Sequence, residues 1–204
     1  MCQKERRELS NAAHGDFLRK KGFKSVRTVF EADGLDLVQD LNGLAFNSWR
    51  NSLDVAWIHF CGHGRLEEST EFLVPSDFKK RGLVSADYIR RTLSFFSPST
   101  TVIAVFDCCY PPSLLTEISG PRVVVINGCE SGKKSPDVMF MRDGKKFSGV
   151  LTSCLMDYLE PKHLRGVILL DMLEDLKSKI KDLRRKQIPQ IFSNFEITKE
   201  TKLI

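Results

Sequence analysis

Two short stretches carry side chains able to do chemistry together, Gly62-His63-Gly64 and Asp107-Cys108-Cys109. Each closes an apolar run, DVAWIHF (54–60) for the first and TTVIAVFD (100–107) for the second. A thiolate is a strong nucleophile, and an imidazole changes charge near neutral pH, which suits a general base. On neighbouring strand ends such groups come within about 3 to 6 Å before a substrate binds and make a nucleophile–base pair. The glycines flanking His63 let backbone approach a substrate closely, and the amide of Gly64, with the nucleophile's own amide, can face a developing oxyanion. Each piece alone has a plainer reading: GHG as a tight turn, and the adjacent cysteines as packing.

The flanking sequence predicts the elements that hold these groups. Residues 6–20 read as a helix, KSVRTVFE (24–31) alternates like a strand, and Leu35, Val38, Leu41, Leu44 and Ala45 recur at helical spacing. SADYIRRTLSFF reads as a helix with Ser85 as its N-cap. The 100–107 run, bounded by Pro98 and by Pro111-Pro112, is a buried strand, and RVVVING is another. CESGKKSPDVMFMRDGKKFSG reads as a polar loop, followed by helices from Val150 and Val167 and a short strand in IPQIFSN. Apolar strands alternating with helices predict an α/β fold, a mainly parallel sheet covered on both faces with functional groups at the strands' carboxyl ends.

At 204 residues, 42% hydrophobic and 28% charged, the chain suits one core, and a single domain over 1–204 is expected. No apolar run approaches the roughly 20 residues of a membrane span, so no membrane partner is expected. The first residues lack the apolar middle of a secretory signal, which predicts a cytoplasmic, reducing setting and free thiols for all six cysteines. Neither a CxxC pair nor zinc spacing occurs, and no metal is predicted. The net charge of +5 is spread out apart from KSKIKDLRRK (177–186), which reads as a helix's solvated face rather than a nucleic-acid surface.

WIHFCGHG, EFLVPSDF, VIAVFDCC, VVVINGCESGKKSPD and FSGVLTSCLMDYLE occur in this order over about residues 18–159. Together they resemble the caspase-like clan CD peptidases (peptidase C14), most closely the metacaspases and paracaspases. The resemblance implies the caspase–hemoglobinase fold and a cysteine endopeptidase with a His–Cys dyad that cleaves after Arg or Lys, its substrates proteins or peptides with basic residues. By the same resemblance His63 falls on the general base and Cys109 on the nucleophile, and Gly64 and Cys109 supply oxyanion donors. Strand alternation agrees, since Asp107 and Cys109 share one face and Cys108 takes the other. A pocket for a basic side chain needs carboxylate, and Asp107 and Asp137 are the candidates, with Cys61, which takes the family's Ser position, lining it. Lys133, Lys134, Arg142, Lys145 and Lys146 make their loop a candidate self-processing region.

Three departures from the family pattern stand out. Tyr110-Pro111-Pro112 replaces the family's HSG, removing a glycine and two backbone donors, and Pro111 is expected to hold Tyr110 extended. No apolar run before residue 6 matches the family's first strand, which lies between those matching 24–31 and 54–60, so a sheet lacking that strand is expected. Of the family's calcium-binding acids VSADY retains only Asp87, while Ca²⁺ takes about six or more oxygen ligands; no cofactor is expected, and calcium dependence has no support in the sequence. The first two departures motivate an alternative, a non-catalytic caspase-like module that regulates a homologous partner.

Overall fold

The computed structural model describes residues 15–29, 31–112, 118–130, 132, 139–142, 145–183 and 187–204. Helix α1 (15–20) comes first, then 24–29 without regular structure, then α2 (Gly34–Arg50). A capping box starts α2: Asp36 N–H donates to Asp33 Oδ1 at 2.8 Å and Asp33 N–H to Asp36 Oδ2 at 3.4 Å, satisfying two amides with no intrahelical partner. There follow β1 (Val55–Cys61), β2 (His63–Glu67), β3 (Thr70–Val74), a one-turn α3 (Phe78–Arg81), β4 (Val84–Ser85) and α4 (Ala86–Ser94). Ser85 caps α4, accepting from the Tyr88 amide at 3.1 Å, as its sequence position predicts. Next come β5 (Thr101–Asp107), β6 (Arg122–Asn127), β7 (Met139–Arg142), β8 (Lys145–Ser148), α5 (Val150–Leu159), α6 (Leu169–Asp182) and β9 (Gln190–Ser193).

The main sheet has the order β1-β5-β6-β9, the first three strands parallel and β9 antiparallel on β6. Alternation along β5 divides the interior. Ile103 and Val105 join α5 and α6 on one face, while Val102, Ala104 and Phe106 meet Leu41 of α2 and Ile89 and Leu93 of α4 on the other. Valine, isoleucine and phenylalanine fill β5 and β6 because both faces of these strands are covered. On α6 the basic run 177–186, whose residues 184–186 lie outside the described ones, has Lys177 paired to Glu174 and Lys179 to Asp175. Among the described residues no helix is long and apolar enough to cross a membrane.

Three expectations are corrected. Residues 24–29 form no strand. Their side chains do alternate, Val26 packing against the α5–α6 core and Arg27 reaching Asp40 at 2.9 Å, but among the described residues no neighbouring backbone pairs with them as a strand. The stretch read as a loop at 129–149 contains the hairpin β7–β8, paired from Met139 with Ser148 to Arg142 with Lys145; Arg142, Lys145 and Lys146 thus lie on strands, and Lys133 and Lys134 fall outside the described residues. Tyr110 is not extended but sits at φ 46°, in the left-handed region, because the chain turns sharply as it leaves β5.

Candidate active site

β1 and β5 are adjacent and in register, Cys61 opposite Asp107, so the segments that follow them emerge side by side. The Gly62 amide donates to the Asp107 carbonyl at 3.3 Å and carries the chain across to His63, the exposed first residue of β2. Gly64 lies against the end of β5: a Cβ there would stand 1.7 Å from the Cys109 carbonyl oxygen. Only glycine permits that approach, which ties the His63 segment to the Cys109 backbone. Cys61, His63, Asp107 and Cys109 line one cleft.

The two adjacent cysteines differ as alternation predicts. Cys108 is 2% exposed, and burial pushes its thiol well above the ordinary range, the Asp107 charge adding to the shift. Cys109 is half-exposed on the cleft side. Below them Cys129 donates to the Cys108 carbonyl at 3.5 Å, and burial pushes its thiol up to about 12. Cys109 is therefore the thiol of the pair open to an incoming carbonyl.

Asp107 is held from beneath. Its Oδ2 accepts from the Thr152 amide and from Thr152 Oγ1, both at 2.7 Å, so a carboxylate from β5 caps the start of α5. Gly149 makes room, since a Cβ there would fall 2.0 Å from Oδ2, and its φ of 105° also suits glycine. Thr152 Oγ1 spends its proton on Asp107, so it accepts from His59 Nε2 at 3.0 Å, which places a proton on that nitrogen. Burial raises the Asp107 pKa, opposed by the two hydrogen bonds from Thr152. These partners are neutral, and the carboxylate lies in the cleft wall.

The structure thus brings together Cys61, His63, Gly64, Asp107 and Cys109, while Asp137 lies outside the described residues. Thr152, His59 and Gly149 were not foreseen; the one local signal is glycine just before the α5 stripe in FSGVLTS, a helix start with no side-chain cap of its own. Asp87 is engaged by Arg90 at 2.6 Å and Arg91 at 2.7 Å, and the Arg90 hydrogen bond heads the causes that lower its pKa. The turn after Cys109 is pinned: Asn127 Nδ2 donates to the Pro112 carbonyl at 3.1 Å, and both prolines are buried.

The family model described as the caspase domain matches residues 7–200. Among solved structures, the chain is similar to protein GSU0716 from Geobacter sulfurreducens, with 14% identity over 91% of this chain and 82% of that one and a TM-score of 0.68. It is also similar to caspase-1 from Spodoptera frugiperda, with 13% identity over 94% of this chain and 79% of that one and a TM-score of 0.60. No curated protein matches the sequence. At these identities the structural likeness bears on the fold alone.

Proposed function

The chain belongs to the caspase domain family, a family of cysteine peptidases, and from that premise we propose that it is a metacaspase-like cysteine endopeptidase in which His63 is the general base and Cys109 the nucleophile. The observation that carries this reading is the close approach of Gly64 to the Cys109 carbonyl, which locks the segment bearing the imidazole to the strand end bearing the half-exposed thiol. In the proposed reaction His63 takes the Cys109 proton and the thiolate adds to the scissile carbonyl, with the amides of Gly64 and Cys109 donating to the oxyanion. His63 returns the proton to the leaving amine, and water then hydrolyses the acyl-enzyme. Cleavage after Arg or Lys is the finer part of the proposal. Asp107 is a carboxylate in the cleft wall with neutral partners, and an arriving guanidinium or ammonium would bring the countercharge it lacks.

A second reading, a non-catalytic module that regulates a caspase-like partner, is favoured by Tyr110. A tyrosine at φ 46° followed by two buried prolines fixes the turn beside the nucleophile and leaves no glycine to let it adjust. Matched fluorogenic peptides ending in Arg, Lys or Asp, assayed with and without Ca²⁺ on the protein and on Cys109→Ala, separate the readings. Turnover after Arg and Lys that vanishes in Cys109→Ala is expected. No Cys109-dependent turnover would favour the module, and turnover after Asp alone would sink the pocket assignment.

A further inference from the structure

The outer edge of β1 borders a trough that the proposed chemistry uses only at its upper end. Among the described residues β1 pairs with β5 alone. The Asp54 carbonyl accepts from the Thr101 amide and the Gly62 amide donates to Asp107, so the even-numbered backbone groups face β5. Strand alternation then turns the N–H and C=O groups of the odd-numbered residues, Val55 and Trp57 among them, into the trough. Residues 24–29 form the far wall, in no ladder among the described residues, and the whole cleft, trough and catalytic end together, has a volume of about 1950 Å³. Leu37, Leu41 and Leu44 of α2 line it on one face of the sheet, and Trp57 and Leu164 on the other. Trp57 Nε1 is buried with no hydrogen-bond partner.

We propose that this trough is a docking site for one extended segment of another protein, about seven residues long to match β1, which adds to the sheet as a strand. A cleft with a sheet edge for its inner wall and apolar walls on both faces of that sheet has the shape of a missing strand, because strands lie about 4.8 Å apart and a buried one is apolar on both faces. The far wall at 24–29 keeps out the sheet edge of a second copy, which would arrive with its own covering helices. Charge sets the segment's polarity. At the lower mouth Lys20, Lys24, Lys162 and Arg165 outnumber Asp54 and Glu160, so the end of the segment that lies there is acidic.

The test uses the full chain and a labelled probe peptide of two aspartates followed by seven alternating valines and isoleucines, with a polyethylene glycol tail for solubility. Two further versions are N-methylated at every second residue, one in each frame. Saturable binding is expected by fluorescence anisotropy, together with at least tenfold slower hydrogen exchange at the Val55 and Trp57 amides. One N-methylated frame, the one facing β1, loses at least tenfold in affinity while the other keeps it, and lysines in place of the aspartates weaken binding several-fold. Leu44→Lys weakens binding tenfold with little change in melting temperature; if that variant unfolds, the exchange and N-methylation results decide. Absence of saturable binding, equal binding by both methylated frames, or Val55 and Trp57 amides already protected in the protein alone would overturn the proposal. Protection that grows with protein concentration would replace the foreign segment with a second copy of this chain.

Discussion

Gly64→Ala probes the joint between the two halves of the site. The added Cβ would stand 1.7 Å from the Cys109 carbonyl oxygen and 2.9 Å from its carbon, where real Cβ atoms keep at least 3.0 Å, so the two backbones must part by about 1 Å. Neither side yields easily: Gly64 is laddered to Leu73 in β3, and Cys109 lies two residues past the end of the central strand β5. Overpacking of this kind costs about 1 to 3 kcal/mol of stability. A displacement of about 1 Å between catalytic groups lowers kcat/KM on the order of a hundredfold, equivalent to about 2.7 kcal/mol. Three measurements check this: kcat/KM on an Arg-ending fluorogenic peptide, the rate of Cys109 alkylation by iodoacetamide, and the urea midpoint. Gly62→Ala is the control, since its Cβ meets the Phe60 ring at 2.9 Å, a side chain that can turn aside, and a milder loss is expected. Wild-type values of all three measurements in Gly64→Ala would refute the close approach and the dyad geometry that depends on it.

Thr152→Val keeps the shape of the side chain but removes the hydroxyl that donates to Asp107 and accepts from His59, and a loss of about 1 to 3 kcal/mol is expected in urea denaturation. Asp107 has a folded-state pKa above its ordinary 3.8, so the folded chain holds that proton more tightly than the unfolded one. Its contribution is therefore fully present below pH 3.8 and is lost as pH rises through the raised value. Asp107→Asn keeps an acceptor but not the titration, so its melting temperature relative to wild type should rise with pH; a constant difference would count against the burial argument. Ser85→Ala removes the α4 cap and should cost about 1 kcal/mol, seen as a lower urea midpoint with an unchanged slope.

The three parallel strands were legible as nearly unbroken apolar runs at Val55–Cys61, Thr101–Asp107 and Arg122–Asn127, the latter two because both their faces are buried. The local hydroxyl at Ser85 likewise announced the start of α4. Other features depend on partners remote in sequence. The 24–29 segment has a strand's alternation, yet a ladder needs a neighbour in register, which only the assembled sheet decides. The β7–β8 hairpin had a usable signal in MFMR and KKFS on either side of Asp143-Gly144, outweighed by the lysines and glycines around it. Within the site, the Cys108–Cys109 distinction followed from a period of two. The tie from Asp107 to Thr152 did not, since it joins residues 45 positions apart. Tyr110 fails the rule that a residue before proline is extended because the strand's end and the Asn127–Pro112 bond fix the turn's path first.

The division of β5 between two cores also bears on inheritance. Residues 102, 104, 106 and 108 fill the α2–α4 face, whereas Asp107 and Cys109 point toward the cleft side and the start of α5. Replacing Cys109 leaves the even-numbered core set intact, and replacing Val102 or Ala104 leaves the cleft's lining unchanged. A lineage descended from such a chain can therefore change the thiol at Cys109 and keep its architecture.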